Sequence, residues 1–303
     1  MKLVMTLLVR DEEDILDDHL RYHFAQGVDH VIVTDNLSVD RTPEILAGYQ
    51  AEDRVSVIRE ESDDYSQRKW VTRMARSAFL DHGADWVVNS DADEFWWPLG
   101  GNLMSTLAAL PPEVGFVRVP RTDFVPVADD GRPFYTRMVA RDSESVNALG
   151  RPLPPKVCHR GHSEIEVSQG NHTASGLDLE VFEGPCPIVI FHFPLRSYKQ
   201  FENKIVKGGR AYERNTELGP STGDAWRNLY RLYQAGGLHD YYQSRERSAA
   251  EIEEGLQSGT LVRDDRLRRF LESQETRSMG TRLDRLGFGP PDSSSATGRI
   301  KEA

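Results

Sequence analysis

The sequence predicts an α/β fold, a mostly parallel central sheet followed by a helical C-terminal extension. Apolar runs of strand length alternate with stretches of helical spacing through the first half of the chain. Those runs are apolar throughout rather than alternating, as strands buried on both faces are. From Ser197 onward the apolar spacing is helical.

Leu3–Val9 reads as the first strand. The acidic stretch Asp11 to Asp14 then opens a helix with Leu16, Leu20 and Phe24 at helical spacing, closed by Gly27. Val31–Thr34 is the second apolar run, and Thr42-Pro43-Glu44 opens a helix with Thr42 as capping hydroxyl and proline in the first turn. Val55–Ile58 is a third strand. Ser66–His82 is a helix with Trp70, Met74 and Ala78 on one face and Gly83 at its end. Trp86–Asn89 is a fourth strand and runs into Ser90-Asp91-Ala92-Asp93-Glu94-Phe95-Trp96-Trp97. Ligands of open α/β sheets bind beyond the carboxyl ends of the strands. Thr6–Arg10, Asp35-Asn36, Glu60-Glu61 and Asp91–Asp93 are therefore expected along one edge.

Gly115–Val119 reads as a further strand. Residues 120–185 are rich in Pro, Gly and charge, with short extended pieces at Lys156–His159 and Ile165–Ser168. Pro187–Phe193 is a strong late strand ending in His192-Phe193-Pro194. Beyond it Phe201, Ile205 and Val206, then Trp226, Leu229 and Tyr233, then Ile252 and Leu256 recur at helical spacing. The chain thus divides into a first half at 1–120, a second half of the same domain at 121–196 and a helical extension at 197–288. The extension could pack on the sheet or on a second subunit. Residues 289–303 are Pro/Ser/Gly-rich and expected to be disordered.

Composition excludes one class of partner. With 303 residues and a formal net charge of −11, the chain has no basic surplus with which to neutralise nucleic-acid phosphates. Its two cysteines, Cys158 and Cys186, are few for this length and point to a reducing compartment. The apolar start Met1–Val9 is too short for a signal peptide or a membrane span. The expectation is a cytoplasmic protein without a transmembrane segment, with peripheral membrane association left open.

Asp91-Ala92-Asp93 is the sharpest chemical signal. Two carboxylates one residue apart, just past an apolar strand, can both reach one hard divalent cation, and oxygen ligands suit Mn2+ or Mg2+. Such an ion would bridge a diphosphate and neutralise its charge. Asp35, at the second strand end, can accept from a base imide or a ribose hydroxyl. The same residues, Asp35-Asn36-x-Ser38-x-Asp40, also suit a turn followed by a helix cap. Arg68 starts a helix after the third strand, where it could meet phosphates or base, or lie on a solvated helix face. Cys158-His159-x-x-His162 with His172 permits a zinc reading, although the spacing matches no common zinc module. His172 more readily lies in an acceptor-side loop, contacting a sugar or assisting proton transfer.

Thr6-Leu7-Leu8-Val9-Arg10-Asp11-Glu12-Glu13, Thr34-Asp35-Asn36-Leu37-Ser38-Val39-Asp40-Arg41-Thr42 and Asn89–Glu94 occur in order and at suitable spacing. Together they resemble the nucleotide-binding half of family-two-type glycosyltransferases with the GT-A fold, a Rossmann-type nucleotide-sugar domain. The resemblance covers about residues 1–120, and Ile190-Phe-His-Phe-Pro-Leu-Arg-Ser-Tyr-Lys extends it. It implies a metal-assisted transfer of a sugar from a nucleoside-diphosphate-sugar donor to a saccharide or other hydroxyl-bearing acceptor, with inversion. It implies that Thr6, Leu8, Arg10, Asp35 and Asn36 line the nucleoside site, and that Asp91, Ala92 and Asp93 carry the metal and ribose contacts. His192 would supply a further metal or diphosphate ligand. Lys199 and Lys204 would cap the leaving phosphates. The general base should come from the acceptor half, where Glu164 and Asp123 are the candidates. The sequence departs from the family pattern at Val9-Arg10-Asp11, where an aromatic residue and Asn are usual.

Two other readings compete. A haloacid-dehalogenase-like phosphatase would use Asp91 as a phosphorylated nucleophile, but that pattern wants Thr or Val where Phe95 stands. A non-catalytic nucleotide-sugar binding module would keep the donor contacts and lack a base.

Overall fold

The computed structural model describes residues 1–147, 149–219 and 222–274. Met1–Asp264 forms one compact unit. A second unit begins at Asp265, and of it residues 266–274 are helical. The tail expected to be disordered at 289–303, and the end of the expected helical extension from 275, lie outside the described residues.

The fold is mixed α/β, built on a large, mainly parallel sheet. Strands β1 (Leu3–Val9), β2 (His30–Asn36), β3 (Val55–Glu60) and β4 (Trp86–Asp91) alternate with helices α1 (Leu16–Ala25), α2 (Thr42–Ala51) and α3 (Gln67–Leu80). After β4 come β5 (Glu94–Pro98), α4 (Leu103–Ala108), β6 (Val114–Val119), β7 (Arg121–Asp123), α5 (Phe134–Arg137), β8 (Ala140–Asp142) and β9 (Lys156–Arg160). Short strands β10 (Glu166–Val167), β11 (Ala174–Ser175) and β12 (Glu180–Val181) precede β13 (Ile188–His192). The central sheet has seven strands in the order β12-β6-β9-β4-β1-β2-β3, and β9 runs against both of its neighbours.

Each helix covers the sheet for a reason legible in its spacing. Trp70, Met74 and Ala78 fall on one face of α3 and are buried there, with Met74 and Ala78 in a core that holds Val4, Ile32 and Val87. The alternate residues Leu3, Met5 and Leu7 of β1 point the other way and are equally buried. On that side Ser90 of β4 meets His19 of α1, so both faces are covered. α1 ends at Gly27 and α3 at Gly83, each at positive φ where a Cβ would be strained.

One local expectation is corrected. Thr42 does not cap α2: its hydroxyl accepts from the Glu12 backbone N–H at 2.9 Å and so ties the β1 exit loop to the helix start. A tertiary contact took the side chain that local reasoning assigned to the cap.

A second sheet of three strands, β5-β13-β7, stands beside the first. It pairs Phe191 with Phe95 and Thr122, and His192 with Glu94 and Asp123. Its apolar side is aromatic, with Phe124 and Phe193 stacked 4.4 Å apart.

The C-terminal region comprises α6 (Tyr198–Arg214), α7 (Asp224–Gln234), α8 (Leu238–Arg245), α9 (Ala249–Ser258) and a strand, β14 (Leu261–Arg263). That strand was not anticipated. It pairs antiparallel with β8, so the helical region folds back into the same compact unit. α7 reaches α6 closely because Gly208 and Gly209 stand at the contact: a Cβ on Gly209 would sit 2.2 Å from Tyr230, and one on Gly208 2.5 Å from Trp226.

Candidate functional site

A cavity of about 300 Å³ opens at the C-terminal edge of the parallel sheet. Its walls come from the exits of β1 and β2 (Leu8, Val9, Arg10, Glu12, Asn36), from Asp91-Ala92-Asp93 after β4, from Arg121 and Asp123 of β7, from His192, and from α6 to α8. The parallel order dictates this, since every crossover returns the chain to the same sheet edge.

Asp93 is buried and Asp91 half-buried, each against cations. The Lys156 ammonium hydrogen-bonds Asp91, and Asn171 Nδ2 adds a bond of 3.3 Å. Lys204 Nζ donates to Asp93 Oδ2 at 2.5 Å, and His192 Nε2 lies 3.6 Å from Asp93 Oδ1. Burial opposes ionisation of both carboxyls. Lys156 and Lys204 outweigh it at Asp91, and Lys204 and His192 at Asp93, so both pKa values lie below the usual carboxylate range.

Behind Asp91 lies a network that sequence reasoning missed. Lys156 is 1% exposed and also pairs with Glu94, 3.2 Å away. Arg121 Nη1 donates to the same Glu94 carboxylate at 3.2 Å. Nothing in the local pattern of Lys156-Val-Cys-His marks the lysine. Only the antiparallel placement of β9 beside β4 brings it to Asp91.

The other wall carries a carboxylate–imidazole pair. His192 Nδ1 and Asp123 Oδ1 are 2.6 Å apart. Burial alone would lower the histidine pKa, but Asp123 and Asp93 together push it up to about 9. α6 completes the site. Besides Lys204, its Asn203 Nδ2 donates to Asp11 Oδ2 at 3.0 Å, and Lys207 hydrogen-bonds the same carboxylate.

Leu8, Arg10, Asn36, Asp91, Ala92, Asp93, Asp123, His192 and Lys204 thus gather on one cavity. The remaining candidates do not line it. Thr6 is buried and donates to Asn89 Oδ1 at 2.8 Å. Asp35 is 3% exposed and accepts from the Ser38 backbone and from Arg59, which matches the turn reading. Arg68 is exposed and pairs with Glu166. Lys199 and Glu164 are exposed: Lys199 falls on the outer side of α6, and Glu164 follows β9 away from the edge. His172 hydrogen-bonds the Pro155 carbonyl, and burial followed by Lys156 lowers its pKa to about 4.

The zinc reading finds no support. Cys158 and Cys186 are free thiols, His159 is engaged with the Arg160 carbonyl, and among the described residues no three His, Cys, Asp or Glu side chains are spaced to hold an ion as they stand. At Asp91 and Asp93 the chemistry of the donor set nevertheless suits a hard divalent cation. Two ionised carboxylates face the cavity with an imidazole beside them, and a lysine ammonium already sits where positive charge is wanted. Admitting such an ion would require Lys204 to release Asp93. Among the described residues, no helix is long and apolar enough to cross a membrane.

No family model matches the chain, and no curated protein matches its sequence. Among solved structures it is similar to S. aureus TarS 1-349 in complex with UDP, at 13% identity over 86% of this chain and 92% of that one, with a TM-score of 0.41. The complex of TarS 1-349 with UDP-GlcNAc is matched at 13% identity, 86% and 93% coverage and the same TM-score, 0.41. A third similarity is to glucosyl-3-phosphoglycerate synthase from Mycobacterium tuberculosis in complex with Mn2+, UDP and glucosyl-3-phosphoglycerate, at 16% identity over 40% of this chain and 44% of that one, with a TM-score of 0.29. At such identities and TM-scores the likeness assigns no residue a role.

Proposed function

We propose that this chain is a glycosyltransferase of the GT-A kind, moving a sugar from a nucleoside-diphosphate-sugar to an acceptor hydroxyl. One observation carries the reading: Asp91 and Asp93, the lysines 204 and 207, and the Asp123–His192 pair share one cavity at the carboxyl edge of a parallel sheet. Mixed carboxylates and ammonium groups suit a diphosphate bound with a cation. A purely basic pocket would suit the phosphates alone, and a purely acidic one the cation alone.

In this reading Arg10 and Asn36 lie on the nucleoside side, and the sugar lies beside Asp93 and Asp123, whose carboxylates His192 bridges. Lys204 and Lys207 would transfer their hydrogen bonds from Asp93 and Asp11 to the phosphates, where charge-assisted bonds are strong. Asp91, Asp93 and His192 would hold Mn2+ or Mg2+, which neutralises charge on the departing diphosphate. The acceptor oxygen attacks the anomeric carbon, the bond to the diphosphate oxygen breaks, and the electron pair leaves with the diphosphate. Asp123 takes the hydroxyl proton, its carboxylate oriented by the His192 hydrogen bond. Direct displacement of this kind inverts the anomeric centre.

The phosphatase reading is weaker. Phe95 stands where that pattern wants Thr or Val, and three strands precede the one that ends in Asp91. Thermal shift against UDP, GDP, CDP and dTDP, each with and without manganese, tests the proposal. A bound nucleotide at a hundred times its dissociation constant should add about 2.7 kcal/mol of stability. Absence of any shift across the whole panel would overturn it.

A further inference from the structure

The cavity wall has a charge pattern of its own. Of the cations on the cavity wall, Arg10 pairs with Asp63, Arg121 with Glu94, Lys204 with Asp93 and Lys207 with Asp11. Arg245 is different. It closes α8, is half-buried, lines the cavity, and forms no hydrogen bond or ion pair with any described residue. Its field reaches Asp142 and Tyr241, but neither is within ion-pairing distance. The cavity wall also carries the apolar side chains Leu195, Phe201 and Leu229, and Tyr241, which lies within the field of both Arg245 and Asp123.

A cation at a helix C-terminus is stabilised by the helix dipole. That explains why Arg245 is tolerated at the end of α8. It does not explain why Arg245 lines a cavity, half-buried, with Asp142 felt through its field but outside ion-pairing distance. A planar guanidinium with its donors unspent is suited to grip a phosphate or carboxylate through two parallel hydrogen bonds.

We propose that Arg245 binds an oxyanion carried by the acceptor, so that the acceptor class is a hydroxylated phosphate or carboxylate rather than a neutral saccharide. This rests on the glycosyltransferase reading for the identity of the second substrate, while the anion site itself does not. The anion docks at the α8 end, the apolar wall holds the intervening carbons, and a hydroxyl reaches Asp123. Arg245 thus selects among acceptors and takes no part in the bond-breaking step.

Two measurements test this. In the first, initial rates with a bound donor are compared for glucose, glucose 6-phosphate and glucuronate as acceptors. The charged probes should exceed glucose at least tenfold in kcat/KM, the phosphate and carboxylate arms separating the two anion types. Arg245→Gln should collapse that ratio toward one, and Arg245→Lys should restore part of it. A merely structural arginine would lower all three rates together and leave the ratio standing, which overturns the proposal. In the second, arginines of the protein, with and without UDP, are labelled with phenylglyoxal and read by peptide mass spectrometry. Inorganic phosphate should slow labelling of Arg245 severalfold, and unprotected labelling overturns the anion site. If no nucleotide binds, the transferase reading fails while the phosphate protection still decides the fate of the anion site.

Discussion

Asp123 and His192 are adjacent across the parallel pair β7–β13, with Oδ1 and Nδ1 2.6 Å apart and His192 Nε2 turned toward Asp93. The imidazole therefore bridges the carboxylate proposed as base and a carboxylate proposed to face the donor. Both acids favour its charged form.

That relationship has a pH signature. The His192 pKa, raised from 6.5 to about 9, lies above its unfolded value. Its contribution to stability should be fully present below about pH 6.5 and be lost as pH rises to about 9. Melting temperature measured with chelator present should fall over this window in the parent and fall less in Asp123→Asn. Parallel pH profiles for the two proteins would count against the charged pair.

Asp91→Asn and Asp93→Asn each keep the side-chain shape and remove a negative charge. Turnover should drop on the order of a thousandfold, about 4 kcal/mol in the barrier. Chelator should abolish activity in the parent, with manganese or magnesium restoring it. Full transfer in excess chelator would remove the metal from the scheme, and a phosphorylated Asp91 in the mass spectrum would move the protein to the phosphatase reading.

Lys156→Met should unfold the site rather than tune it. The lysine is buried between Asp91 and Glu94, and removing one partner of such a pair costs about 3–5 kcal/mol because the remaining charge is left uncompensated. Chemical denaturation of the variant measures this. A loss below about 1 kcal/mol would mean that Arg121 alone suffices for Glu94.

Gly209→Ala probes the helical wall. A methyl group there would meet Tyr230 at 2.2 Å, so α7 must move off α6. Overpacking of this kind costs about 1–3 kcal/mol, and because Trp226 and Leu229 of α7 line the cavity, nucleotide affinity should fall with it. Unchanged stability together with unchanged affinity would show that the α6–α7 contact is looser than the geometry implies.

The parts of the fold whose signals are local were legible in the chain. Four apolar runs placed β1 to β4 within two residues of their ends, because strands buried on both faces must be continuously apolar. The same runs located Asp91 and Asp93 at a strand exit, and hence on the edge where parallel sheets bind ligands. Local spacing also marked α3 and α6, whose buried residues recur at helical intervals. Which charges meet depends on packing between distant segments. Lys204 lies 111 residues from Asp93, Lys156 lies 65 from Asp91, and His192 lies 69 from Asp123. No periodicity encodes such pairings. Thr42 was misplaced for the same reason: its hydroxyl goes to the Glu12 backbone N–H rather than to the helix start, because a buried donor is costly to leave unmet. That partner is set by how strands and helices stack, as when β9, running against β4, delivers a lysine to the aspartate the sequence had already singled out.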